Sequence, residues 1–335
     1  MSVIVHAKPA QRRLDDRLAF DDVVPPDLWR PVRLTLTASY VLFLVWWTAT
    51  RGMIWQRMAV AAFLGGFLLC SHIGRPLRTW ALVVRDALFY CAMWFAYETT
   101  RTAARDGVLG FTPDLQVESM RNIDRFLFGG NDPNVWLQEA LWRDQAQWWD
   151  KLLSTVYYSH FMLPPIVMAA LWASNRYQFW RFMRRFATVL SVACAMFVVL
   201  PTAPPWLAAD KGVIDPLVRQ TGRGFSAMGF RAYTNGWQDA VQWGNPVAAM
   251  PSLHAGFAMI IVAFFLPWIR PRWLKAAALL FPATMLFALV YLAEHWVIDG
   301  LVGWAVVGGS FWLWHRLETW HRQRRATASL AALTP

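Results

Sequence analysis

Apolar residues recur along this chain in runs long enough to cross a bilayer, and no other feature of the sequence restricts the fold as strongly. A helix needs about 20 predominantly apolar residues to traverse a hydrocarbon core of roughly 30 Å. Eight stretches approach that length, at residues 34–50, 56–73, 80–98, 152–174, 183–201, 252–269, 274–292 and 297–314. Backbone groups in lipid must bond within their own segment, so such stretches are expected to be helical. Apolar residues make up 57 % of the chain and charged ones 16 %, against roughly 25 % charged in soluble domains. The expected fold class is an all-α polytopic membrane protein of about eight transmembrane helices.

One span carries charge. Arg85 and Asp86 stand near the start of the third stretch, and neighbours in sequence do not face each other on a helix. Each therefore needs another partner or a polar cavity, unless the helix begins later and both lie at the interface. His72 and His315, towards the ends of their spans, read as interfacial residues.

The net charge of +11 raises the question of nucleic acid, which the distribution of the cations answers. They cluster between spans: Arg176, Arg181, Arg184 and Arg185; Arg270, Arg272 and Lys275; then Arg316, Arg322, Arg324 and Arg325. The N-terminal segment adds Lys8, Arg12, Arg13, Arg17, Arg30 and Arg33, whereas the turn around Glu294 has no Lys or Arg. This is the pattern of cytoplasmic loops, and it excludes nucleic acid as the expected partner. With eight spans the positive-inside rule puts both termini in the cytoplasm and the bare turn outside, in a plasma membrane. The polar N-terminus lacks an early apolar region of the signal-peptide kind, so the first span is expected to direct insertion. Cys70, Cys91 and Cys194 lie singly in apolar runs and suggest neither disulfides nor a zinc site.

Against this apolar background three ionisable residues stand out. His254 follows Met250-Pro251-Ser252-Leu253 at the opening of the sixth span, and His295 precedes Asp299 by four residues at the opening of the eighth. One span out and one back brings both openings to the same surface. His295 and Asp299, at i and i+4, share a helix face, where a carboxylate can fix an imidazole tautomer. Ionisable groups in a membrane span mark function by default. Two imidazoles and a carboxylate suit covalent phosphoryl transfer: one ring attacks phosphorus, the carboxylate orients it, and the other ring protonates the leaving oxygen. The bland reading is a satisfied His295–Asp299 pair with His254 capping a helix.

Pro251-Ser252-x-His254 followed by His295-x-x-x-Asp299 resembles the second and third signature motifs of the type 2 phosphatidic acid phosphatase (PAP2) superfamily. Pro201-Thr202-Ala203-Pro204-Pro205-Trp206, Tyr157-Tyr158-Ser159-His160-Phe161 and the stretch Asp124 to Gln138 resemble its inositol phosphorylceramide synthase-like branch. The resemblance covers roughly residues 120–305. It implies a six-helix catalytic core, His295 as nucleophile, Asp299 as its orienting carboxylate, His254 as general acid, Ser252 as a phosphate ligand, and no metal or other cofactor. The first motif, Lys-x6-Arg-Pro, is missing before the sixth span, and Ala288-Leu289 replaces the Ser-Arg pair expected ahead of His295. Those departures favour a transferase over a classical phosphatase. They leave Lys211, Arg219, Arg223 and Arg231 as candidate cations for a phosphate, which needs charge-assisted donors. His160, about two turns into the fourth span, is a candidate headgroup ligand or a structural histidine.

The organisation expected is a cytoplasmic tail (1–33), three N-terminal spans (34–100), an external interfacial amphipathic segment (101–151), a catalytic membrane core (152–315) that includes an external loop (202–251), and a cytoplasmic tail (316–335) disordered over its last ten residues. The activity expected is movement of a phosphate-linked headgroup, such as inositol phosphate from phosphatidylinositol, to a lipid or glycan acceptor through a phosphohistidine. A lipid phosphate phosphatase acting on phosphatidic acid or a polyprenyl phosphate is the near alternative. A proton-coupled transporter is the distant one, disfavoured because the ionisable residues sit at one face. The partners expected are the phospholipid or polyprenyl-phosphate substrate and the surrounding membrane lipids.

Overall fold

In the computed structural model, residues 27–52, 57–107, 112–230 and 245–331 are described. Helices α1 (Arg30–Arg51), α2 (Arg57–His72) and α3 (Leu77–Asp106) come first, followed by two short ones, α4 (Glu118–Leu127) and α5 (Pro133–Leu141). Helices α6 (Trp148–Ser174) and α7 (Arg176–Val199) are long; α8 (Pro205–Asp210) and α9 (Arg223–Ala227) are short. The chain then forms α10 (Leu253–Phe265), with a 3₁₀ turn over Leu266–Trp268, α11 (Arg272–Tyr291) and α12 (Val297–Ala331). The long helices fall on the eight apolar stretches. Helices α1, α6, α7, α11 and most of α12 are long and apolar enough to cross a membrane, and Ala62–His72 and Leu253–Trp268 are shorter apolar helices. The protein is an all-α, multi-spanning membrane protein.

Helix α10 lies at the centre and packs against α6, α7, α11 and α12. Beyond His254 it is apolar on every side, as a helix enclosed by others is expected to be. Small residues let it approach α12: a Cβ on Gly303 would lie 2.6 Å from the carbonyl oxygen of Ser252. Close backbone contact of this kind is the usual source of attraction between helices in lipid, where hydrophobic driving force is lacking. Helix α3 packs on α7, α1 on α2, and the short α4 and α5 lie against α12 and α11.

Two expectations need correction. Arg85 and Asp86 do bond to each other: Nε and one Nη of Arg85 donate to Asp86 Oδ1 at 3.0 and 2.8 Å. Adjacent Cβ vectors diverge, but the long arginine side chain curls back far enough to reach. Asp86 also receives Trp172 Nε1 at 3.0 Å and pairs with Arg176, so this buried carboxylate is satisfied inside a longer helix. His72 is buried between Trp80 and Trp172. Finally, α12 continues as helix through Ala331, its final stretch containing neither Gly nor Pro to stop it. Residues 332–335 lie outside the described residues.

Candidate active site

The turn that links α11 to α12 is the foundation of the site. Helix α11 closes with Leu292 N bonded to Ala288 O at 2.8 Å, and Glu294 N and His295 N both donate to Leu289 O, at 2.9 and 3.3 Å. Closing it this way puts Ala293 at φ 62°, a left-handed conformation costing a non-glycine residue about 1 kcal/mol. Neighbours hold the strained turn in place. Trp206 N donates to Ala293 O at 3.1 Å. Asn134 Nδ2 donates to Val290 O and His295 O at 2.8 and 3.1 Å, and Gln138 Nε2 to Tyr291 O at 2.9 Å.

Helix α12 starts immediately afterwards, and another segment caps it. Asp124 of α4 accepts the amides of Val297 and Ile298 at 2.7 and 2.9 Å. These are free amides of a first helical turn, where a carboxylate is favoured by both hydrogen bonding and the helix dipole. Asp124 is fully buried. Burial pushes its carboxyl up to about 6, although the two amide bonds pull the other way.

Within this frame His254, His295 and Asp299 come together. His295 Nδ1 lies 3.3 Å from Asp299 Oδ2, and that oxygen also accepts Trp296 N at 3.0 Å. The His254 ring faces His295 with centroids 5.6 Å apart. On its other side it stacks on His160 at 3.9 Å, and on Tyr157 at 4.8 Å. Ser252 ties the two helices: its amide donates to Asp299 O at 2.9 Å while its Oγ accepts Ala255 N at 3.3 Å, capping α10. Among the described residues His254 Nε2, His160 Nδ1 and Asp299 Oδ1 are buried without hydrogen-bond partners. An unpaired buried polar atom costs about 1–3 kcal/mol, and three in one place suit a polar ligand.

The candidate cations separate. Arg219 reaches the site: it makes a two-pronged bond with Glu294, Nε to Oε1 at 2.5 Å and Nη2 to Oε2 at 2.9 Å, and its guanidinium lies 4.6 Å from the Trp206 ring centroid. It therefore stands one residue from His295. Arg223 is engaged elsewhere, 3.6 Å from Asp150 and over the Trp142 ring, where it fastens α9 to α6. Lys211 is exposed at the end of α8 and forms no ion pair among the described residues. Arg231 lies outside the described residues. Reasoning from sequence did not assign roles to Asp124, Asn134, Gln138, Trp206 or Glu294. The available signal was that four of them sit in two of the three segments similar to the synthase branch, and the fifth beside His295.

Paired imidazoles and a carboxylate at one end of a helix bundle, in a membrane-spanning chain, suit phosphoryl transfer. A family model described as the PAP2 superfamily matches residues 120–313, and the chain belongs to that superfamily. The match begins in α4, so it includes the short helices that hold the turn. The chain is similar to the phosphoinositol dihydroceramide synthase of Bacteroides thetaiotaomicron, with 23 % identity over 280 residues, 81 % of this chain and 87 % of that protein. No solved structure gives a significant match.

Proposed function

We propose that this enzyme transfers inositol phosphate from phosphatidylinositol to a hydroxyl of a dihydroceramide-type lipid, through a phosphohistidine on His295. The observation that carries the proposal is the His295–Asp299 pair facing His254 beside the Arg219–Glu294 clamp. The choice of headgroup and acceptor draws on the name of the Bacteroides relative.

With Nδ1 turned to Asp299, His295 presents Nε2 to phosphorus. Attack forms the N–P bond and breaks the P–O bond to diacylglycerol, whose oxygen takes a proton from His254. Asp299 keeps the Nδ1 proton and balances the charge of the phosphorylated ring. The acceptor hydroxyl then gives its proton to the now neutral His254 and attacks phosphorus, restoring His295. Such acid–base assistance contributes about 10²–10⁴-fold. Arg219 steadies the phosphate oxygens with charge-assisted bonds, and Ser252 and His160 border the same space. The bare turn at Glu294 and the arginines at the far ends of the helices support an active site on the extracytoplasmic face of the plasma membrane, with both termini inside. Reporters fused within 202–251 test that arrangement, and a cytoplasmic signal overturns it.

The chemistry is tested with purified protein given inositol-labelled phosphatidylinositol, or labelled polyprenyl phosphate, with and without dihydroceramide. Label moving to the sphingoid lipid supports the transfer. Release of free phosphate as sole product assigns a phosphatase. Turnover unchanged in His295→Ala removes the nucleophile.

A further inference from the structure

A second polar feature lies at the opposite end of the bundle. A cleft of about 420 Å³ opens between α7, the 3₁₀ turn after α10, and α12, with Arg181, Arg185, Phe264, Trp268, Trp312 and His315 among its walls. Sixteen residues of α12 separate Asp299 from His315, about 24 Å at 1.5 Å per residue. The cleft is therefore distinct from the catalytic turn.

Its charge is unbalanced. Arg185, Arg181 and Arg184 converge on a single carboxylate oxygen, Glu318 Oε1, at 3.1, 3.6 and 3.7 Å. Only Arg185 is close enough for a hydrogen bond. Three guanidinium groups share one negative charge, leaving two positive charges uncompensated within this group. Arg181 donates one Nη to Gln178 Oε1 at 3.2 Å, and its Nε, the atom facing Glu318 at 3.6 Å, is beyond hydrogen-bond reach of it. Opposite the arginines the walls are apolar and aromatic. Trp268 and Trp312 are half or more exposed, as expected where a protein meets the headgroup layer. Arg270 follows in the adjoining connection, and Arg272 and Lys275 in the first turn of α11, so cations cluster at this end of the bundle.

A cationic corner with an aromatic wall open to lipid matches one chemistry: a phosphate on an acyl chain. We propose that the cleft binds the phosphate headgroup of an anionic phospholipid through Arg181, with an acyl chain along Trp268 and Trp312, in the leaflet opposite the catalytic turn. A cation near a membrane surface adds about fivefold to anionic-lipid binding. This lipid is not the substrate. It spans the ends of α10 and α12 remote from their catalytic residues.

The test uses the full chain in nanodiscs of phosphatidylcholine containing a trace of phosphatidylglycerol with a photoreactive acyl chain, or the matching phosphatidylcholine probe. Labelled peptides are mapped. The anionic probe is expected to mark 263–268 and 311–315, with labelling about fivefold lower in Arg181→Gln while labelling near the catalytic turn is unchanged. If that variant fails to fold, raising the salt concentration on the wild type gives the second reading, since screening weakens a headgroup contact and spares an apolar one. Equal labelling by the zwitterionic probe, or labelling indifferent to both Arg181→Gln and salt, overturns the proposal. Loss of labelling in millimolar inorganic phosphate at constant ionic strength reassigns the cleft to a soluble anion and overturns the lipid.

Discussion

Helices α1 and α10 both belong in a membrane, yet their apolar side chains meet different surroundings. In α1 the one buried side chain is Arg33, while Leu42 is 69 % exposed and Val45 63 %. Its main neighbour is α2, reached through Tyr40, whose hydroxyl donates to Phe63 O at 2.8 Å. In α10 seven of the thirteen residues are buried, and four helices surround it. Hydropathy alone does not tell these cases apart, because acyl chains are as apolar as leucine. The difference lies in the small and polar residues. Gly303 lets α12 close on α10, and Ser252, Asp299 and His254 bond or stack across the helices. The side chains of α1 are mostly exposed, whereas the C-terminal helices face each other and hold the candidate catalytic residues.

The sharpest way to break this contrast is to remove the proposed nucleophile from the inner set. His295→Ala is expected to lower transfer at least about a thousandfold, as loss of a nucleophile does in other covalent enzymes, with folding intact by size-exclusion chromatography. A loss of only a few-fold would make the His295–Asp299 pair structural and erase the functional side of the comparison.

Packing provides the next test. Ile260 is fully buried in α10, and truncation to alanine leaves a cavity enclosed by protein, costing about 2–5 kcal/mol. Leu42→Ala in α1 leaves a gap that lipid fills, and is expected to cost less than about 0.5 kcal/mol. Reversible unfolding in mixed micelles measures both. Equal losses would mean that α1 is packed by protein in the membrane as tightly as α10.

The same contrast explains what the sequence made legible. Spans are visible because each is a continuous run, and His295 with Asp299 is visible because four residues make a helical turn. His254 follows from counting spans. The local rule failed at Arg85 and Asp86, where side-chain length overrode the divergence of neighbouring Cβ atoms. Asp124 capping α12 across 173 positions, and Asn134 and Gln138 holding the turn, leave no periodic trace. Their partners are backbone amides and carbonyls, which carry no sequence identity. What holds the turn was therefore marked only by family resemblance, while the candidate reacting residues were readable from spacing.

Arg219 lies between these two kinds of residue. Its bond with Glu294 is a charge-assisted pair worth about 1.5–3 kcal/mol if it also serves phosphate. Arg219→Gln is expected to reduce kcat/KM about 10–100-fold, and Leu42→Ala to leave it unchanged. Wild-type kinetics in Arg219→Gln would confine the clamp to holding α8 and the turn together.

The smallest effect is expected at Asp124, and pH reads it. Burial raises its folded carboxyl to about 6 from the ordinary 3.8. Between those values the folded protein keeps a proton that the unfolded chain has released, so the unfolded state binds fewer protons and stability falls as pH rises. The contribution is complete below about 4 and gone above about 6. Its size is on the order of 1–3 kcal/mol. Asp124→Asn keeps one amide bond and cannot titrate. The stability of wild type relative to this variant is therefore expected to decline from pH 4 to 6 and stay level above, while that of wild type relative to Leu42→Ala, which keeps Asp124, shows no such slope. A difference that rises with pH would mean that the amides of Val297 and Ile298 outweigh burial. Asp124 would then be a carboxylate throughout, and the inner helices would owe part of their order to an ionised cap.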